Sequence, residues 1–175
     1  DTLVLVDPVM GDHGRLYATY TPDMCRRMGL LAAEADLITP NLTEAALLLG
    51  EPYSAVPTSK EQLSRWLERL SQDGTRSVVI TGVSFAPGQG GAGCLDRQSG
   101  AVSFAQAPEI PGHFPGTGDL FASVLLGELL RKRPLEAASA RAVAFVQRCA
   151  AHTLALGTPL LDGVEFEALL GELMA

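Results

Sequence analysis

The sequence predicts an α/β fold, a mostly parallel sheet flanked by helices. Three observations lead there. Short apolar runs suited to strands buried on both faces alternate with segments of helical periodicity. Helix-start and helix-stop signals separate them. Polar residues cluster just past the predicted strands, where a parallel sheet opens its ligand crevice.

Taken in order, Asp1-Thr2-Leu3-Val4-Leu5-Val6 is almost continuously apolar, and Thr2–Val6 is the first expected strand. A chain that opens without methionine inside a central strand leads to the expectation that an N-terminal part of the fold is missing. A loop runs through Tyr20, and Thr21-Pro22 starts a helix by the rule of cap followed by proline. Ala35–Ile38 is a short strand, and a helix from about Leu42 ends at Gly50. Thr58-Ser59-Lys60-Glu61 has the form of a capping box. Leu63, Trp66, Leu67 and Leu70 follow at i, i+3, i+4 and i+7, a single buried stripe with the tryptophan in it. Asp73-Gly74 stops that helix, and Ser77–Thr81 is a β-branched buried strand. Gly88–Gly93 reads as a flexible loop. A β-hairpin is expected near residues 92–106, with strands near Ala92–Asp96 and Ala101–Gln106 joined by Arg97-Gln98-Ser99-Gly100. Three helices complete the chain: Thr117–Lys132; Pro134–Leu156, with a stripe at Val143, Val146, Ala150 and Leu154; and Glu165–Leu173, behind an Asp162…Glu165 capping box. No repeat or internal boundary divides residues 1–175, so they read as one domain.

The bulk composition narrows the function. Apolar residues at 47% and charged residues at 19% fit a globular domain. The net charge of −7 and the isolated basic run Arg131-Lys132-Arg133, read as solvated surface, make nucleic acid an unexpected partner. Cys25, Cys94 and Cys149 are odd in number and widely spaced, with no metal-ligand spacing to a histidine. Free thiols lead to the expectation of a reducing cytoplasm. No apolar stretch is long enough to span a bilayer, so no membrane partner is expected.

The most informative motif is Phe114-Pro115-Gly116-Thr117-Gly118-Asp119-Leu120-Phe121. It places two glycines and a carboxylate at a helix N-terminus, where unpartnered N–H groups form an anion site. An aspartate used simply as a helix cap is the plain alternative. Asp7-Pro8-Val9-Met10-Gly11-Asp12 follows the first strand, and its carboxylates suit either Mg²⁺ and phosphates or a turn. Thr39-Pro40-Asn41-Leu42-Thr43-Glu44 follows the second strand, where Asn41 and Glu44 suit either a site or a capping exchange. Thr81-Gly82 ends the third strand. Gly88-Gln89-Gly90-Gly91-Ala92-Gly93 matches a dinucleotide fingerprint in form, but it leads into a hairpin strand rather than a helix.

Three polar strand ends and one glycine-flanked helix start on a single rim point to phosphoryl transfer, which depends on positioning and charge stabilisation. The N–H groups of Gly116, Thr117 and Gly118 suit the transferring group, and Asp119 suits a general base toward an attacking hydroxyl. Asp12, Asn41 and Glu44 are the candidate Mg²⁺ residues.

At these residues the chain resembles the ribokinase-like superfamily, and within it the pyridoxal/pyridoxamine kinases. The Gly116–Asp119 motif is common to the superfamily. Asp7–Asp12 with the following Leu16-Tyr17, and Thr39–Ala46, are closer to the vitamin B6 branch. The resemblance implies a three-layer ribokinase-like domain, of which this chain is the C-terminal, nucleotide-binding and catalytic portion. It implies ATP- and Mg²⁺-dependent phosphorylation of the 5′-hydroxymethyl group of a B6 vitamer, and a homodimer for the full-length protein. It makes Asp119 the base and Gly116–Gly118 the anion hole. Asp7, Thr39, Glu44 and Thr81 then line the nucleotide phosphates, with Tyr17, Asp12 and Asn41 near the metal or γ-phosphate. The first alternative is a hydroxymethylpyrimidine (phosphate) kinase, which tends to carry cysteine where Asp119 stands. An alternative of another class is the nucleotide-dependent NAD(P)H-hydrate dehydratase, which the Asp7–Asp12 run fits poorly.

Overall fold

A computed structural model describes residues 2–174, apart from the side chain of Leu160. Asp1, at the head of the first apolar run, lies outside them. The described strands are β1 (Leu5–Val6), β2 (Gly11–Asp12), β3 (Arg15–Leu16), β4 (Leu37–Ile38), β5 (Ser77–Val83), β6 (Gln89–Leu95) and β7 (Val102–Pro108). The helices are α1 (Pro22–Ala33), α2 (Leu42–Leu49), α3 (Lys60–Ser71), α4 (Thr117–Leu130) and α5 (Leu135–Leu156). The five-stranded sheet has the order β1-β4-β5-β6-β7. β1, β4 and β5 run parallel, while β6 and β7 add antiparallel strands at one side.

Strand alternation divides the core into two. Ile38, Val78 and Ile80 face Ala32, Ala45, Leu63, Trp66 and Leu67 from α1, α2 and α3. Leu37, Val79 and Cys94 face Leu120, Val124, Leu125, Ala142 and Phe145 from α4 and α5. Helices therefore cover both faces in three layers, as expected, with Trp66 packed in its stripe. Cys94 and Cys149 are buried free thiols, and burial raises both, Cys149 to about 11. They pack as small apolar groups.

Several expectations change in detail. The first strand covers Leu5–Val6 only, and the loop before Tyr20 contains the β2–β3 hairpin. The Gly-rich run is not a loop: Gly90, Gly91 and Gly93 lie in β6, paired with β7 along its length. Glycine is needed there, because a Cβ at Gly91 would strike the Ala105 carbonyl. The cap of α3 lies one residue later than expected, with Ser59 accepting from the Gln62 N–H and Gln62 Oε1 accepting from Thr58. Arg131 and Arg133 are not simply solvated, because both pair with the buried Glu128. The expected helix Glu165–Leu173 is replaced by 3₁₀ turns at Leu160–Asp162 and Glu167–Met174. Glu165 N–H donates to Thr153 Oγ1 on α5 rather than to Asp162, so the expected capping box does not form.

Arg76 ties together α1 and α3, two helices of the same layer, at the edge opposite the strand ends that carry the polar motifs. It is buried, its Nε donates to Leu70 O at 2.7 Å, and its Nη1 donates to Ala32 O. These bonds close the C-terminal ends of α3 and α1 together, where helix carbonyls lack intrahelical partners. Arg76→Leu should lower the unfolding free energy by about 1–3 kcal/mol, because Leu70 O loses its side-chain donor and Ala32 O loses one of its donors, keeping the Ala35 N–H. Urea denaturation checks this, and a loss below about 0.5 kcal/mol would contradict it.

Candidate active site

The site grows from three neighbouring strand ends. β1 leads to Asp7, β4 to Thr39, and β5 carries Thr81. Thr39 Oγ1 donates to Asp7 Oδ1 at 3.0 Å, joining the first two. Thr81 N–H donates to Pro40 O at 2.9 Å, and an Asn41–Thr81 bridge continues the ladder. Beyond it the register shifts between Thr81 and Val83 around Gly82, whose φ is +71°. This bulge turns the end of β5 at the site.

Asn41 is the N-cap of α2, with Oδ1 accepting from Glu44 N–H at 3.0 Å. Glu44 Oε2 accepts from Asn41 N–H at 2.8 Å, completing the capping box. Its other oxygen accepts from Met10 N–H at 3.0 Å, and Asn41 Nδ2 donates to Gly11 O at 2.8 Å. The same pair thus caps a helix and holds the segment after β1. The β2–β3 turn has φ of +48° at His13 and +76° at Gly14, the backbone form of a tight two-residue hairpin. Gly14 N–H donates to Thr43 Oγ1 at 2.9 Å, which fixes the hairpin over α2.

At α4 the N-cap is Gly116, with φ +85° and no side-chain cap. Thr117 Oγ1 donates to Phe114 O at 3.1 Å, and the buried Phe114 ring anchors this turn. Asp119 lies in the first turn but is not the cap, so the plain reading of it as a capping residue does not hold. The helix start is left with N–H groups free of a side-chain acceptor.

A cavity of about 620 Å³ gathers these residues. Its walls include Asp7, Asp12, Tyr17, Thr39, Asn41, Glu44, Thr81 and Gly116–Asp119. The residues singled out from the sequence therefore stand together, although they come from four separate stretches of chain. Sequence reading missed the opposite wall. Gly90 and Gly91 of β6, Ala107 of β7, and Val143, Val146, Gln147 and Ala150 of α5 form a mostly apolar side. The signal was present in the small residues of β6 and the α5 stripe, which read as loop and core; Leu154 of that stripe is instead exposed. A second cavity of about 830 Å³ lies between α4 and the C-terminal turns, and Asp119 lines both.

The first cavity is strongly acidic. Burial pushes Asp7 above the usual carboxylate range, the Thr39 bond lowers it, and the charge of Asp119 raises it further. Tyr17 is raised by burial and then by Asp12, Glu44, Asp119 and Asp7. Burial pushes Glu44 up to about 7, although the Asn41 and Met10 N–H groups pull it down. Such a concentration of carboxylates suits cations.

The family model described as phosphomethylpyrimidine kinase matches residues 1–161. The chain belongs to that family. It is 32% identical over 143 residues to a pyridoxal kinase of Deinococcus radiodurans, covering 78% of this chain and 47% of that protein. The crystal structure of pyridoxal kinase from Lactobacillus plantarum superposes with a TM-score of 0.87 at 38% identity, covering 99% of this chain and 61% of that one. Pyridoxal kinase from Leishmania donovani in complex with ADP and pyridoxamine gives 0.82 at 25% identity, covering 99% and 59%. The chain spans 37–55% of the length of the curated relatives it matches. Within the family frame the sheet expected from the sequence stands.

Glu44 gives the site a pH signature. Between about pH 4.5 and 7 the folded chain holds a proton on Glu44 that the unfolded chain has released, so this group's contribution to stability falls as pH rises through that window. The effect is on the order of 3 kcal/mol. In metal-free buffer, the stability of the parent chain relative to Glu44→Gln should fall between pH 5 and pH 8. A difference that stays constant across that range would contradict the assignment.

Proposed function

We propose that this chain is the nucleotide-binding and catalytic portion of an ATP-dependent kinase for the 5′-hydroxymethyl group of pyridoxal, pyridoxamine or pyridoxine. The observation that carries the reading is the uncapped start of α4 opening onto the same cavity as four carboxylates, Asp7, Asp12, Glu44 and Asp119. A helix start attracts phosphate, and the acidic rim suits the Mg²⁺ that accompanies a nucleotide. The apolar wall from α5 and the small residues of β6 suit a flat nucleobase.

In this reading the N–H groups of Gly116, Thr117 and Gly118 receive the developing charge of the transferring phosphoryl group, where one lost donor costs about 3–4 kcal/mol. Asp119 accepts the proton of the attacking hydroxyl as the new O–P bond forms, while the bond from the γ-phosphorus to the bridging oxygen breaks and ADP leaves. Asp7, Thr39 and Thr81 line the nucleotide phosphates, with Tyr17 at the edge. Asp12 would hold Mg²⁺. Asn41 and Glu44, whose polar atoms already serve the cap, would reach it through water. Mg²⁺, when bound, supplies charge neutralisation of the polyphosphate. The donor set fits, since Mg²⁺ takes oxygen ligands and keeps several waters.

The family's own description favours a second reading, a kinase acting on hydroxymethylpyrimidine or its phosphate. Asp119 and the Gly11-Asp12 pair favour the B6 vitamers, as do the pyridoxal kinases among the relatives. A cytoplasmic setting and a homodimer of the whole protein belong to the same proposal. The described residues contain no helix long and apolar enough to cross a membrane.

Two outcomes test it. The whole protein should phosphorylate pyridoxal or pyridoxamine at least tenfold more efficiently than hydroxymethylpyrimidine, and it should not dehydrate hydrated NADH. The reverse preference would establish the second reading. Asp119→Asn should lower kcat by about 10²–10⁴ with little change in ATP affinity. Full activity in that variant would refute Asp119 as the base.

A further inference from the structure

Two histidines at the mouth of the first cavity, His13 and His113, are not used by the phosphoryl-transfer reading. We propose that Asp12 and His13, on the β2–β3 turn, together with His113, on the connection into α4, form a second cation site that takes a transition metal of the Zn²⁺ type. One ligand atom from each residue lies within 4.8 Å of the other two. The two imidazole rings are tilted at 58° with centroids 6.3 Å apart. Asp12 Oδ1 accepts the His13 N–H at 2.8 Å, which leaves Oδ2 facing His13 Nε2 at 3.5 Å. The carboxylate is thus oriented by the turn, with one oxygen still available.

The donor set decides the class of ion. Two imidazoles and one carboxylate suit borderline-soft divalent metals, whereas Mg²⁺ favours oxygen ligands and water. A tetrahedral zinc site holds its donors roughly 3.3 Å apart, given bonds of about 2.0–2.2 Å. Asp12 Oδ2 and His13 Nε2 are already 3.5 Å apart, and closing the rest takes a movement of at most about 1.5 Å. The His13 side chain is 80% exposed and free to make it. Three protein ligands leave one position open, the arrangement that admits water or an anionic ligand. Asp12 and His113 also line the nucleotide cavity, so a bound ion would bridge the hairpin and the connection to the anion cradle across the cavity's mouth. Asp12 is the single residue shared with the proposed Mg²⁺ set.

Metal titration of the nucleotide-free protein tests this separately from catalysis. Co²⁺ should bind one per chain, with visible absorption bands showing histidine ligation. Zn²⁺ should displace it, and a thousandfold excess of Mg²⁺ should not. His113→Gln and His13→Asn should each weaken Co²⁺ binding tenfold or more, asparagine being chosen because it tolerates the left-handed turn. Cys25→Ser, which removes the partly exposed thiol, should bind as the parent does. Absence of Co²⁺ binding, unchanged affinity in both histidine variants, loss of binding in Cys25→Ser, or equal competition by Mg²⁺ would each overturn the site.

Discussion

The Glu44 carboxylate is the constraint around which the site is organised. One oxygen holds the N–H of Asn41 at the end of β4, and the other holds the N–H of Met10 beyond β1. A buried carboxylate is costly unless its lone pairs are satisfied, and here backbone donors from two strand exits do that. The cap of α2 and the path of the segment after β1 follow from that group, and Asn41 Nδ2 on Gly11 O and Thr43 Oγ1 under Gly14 N–H complete the seat of the β2–β3 hairpin. Because Glu44 sits at the rim of the cavity, the bond that stabilises the fold also determines where Asp12 and Tyr17 stand.

The remaining geometry is a division of charge. Acidic groups come from the end of β1, the first turn of α2, the hairpin and the first turn of α4. Unpartnered N–H groups come from the helix start, at Gly116–Gly118. Neither half is stable alone against a bare phosphate or a bare cation, because carboxylates repel one and the helix dipole repels the other. A phosphate carried together with a divalent cation satisfies both. In the proposed reading, that electrostatic demand connects the packing of the strand ends to nucleotide chemistry.

Much of this was legible in the sequence because the relevant signals are local. Asn41 and Glu44 are three residues apart, Thr21-Pro22 opens α1, and Gly116–Asp119 opens α4, so caps and helix starts can be read directly. Strand ends follow from the apolar runs that precede them. Long-range pairing was less accessible. The turn at His13-Gly14 uses a histidine in a left-handed conformation, which carries no strong hairpin signal. Gly90 and Gly91 read as flexible, whereas β7 pairing holds them in a strand, and at Gly91 a side chain would strike the Ala105 carbonyl. The C-terminal turns depend on Thr153 of α5, twelve residues before its partner Glu165. Val143 and Ala150 read as core, which they are, yet the same faces also wall the cavity.

The most direct measurement is a crystal structure of the whole protein grown with a non-hydrolysable ATP analogue and Mg²⁺. The account predicts the terminal phosphate within about 3 Å of the N–H groups at Gly116–Gly118, with the Asp119 carboxylate beside it and the base along α5. A triphosphate bound instead between α4 and the C-terminal turns, with Gly116–Gly118 facing solvent, would contradict it.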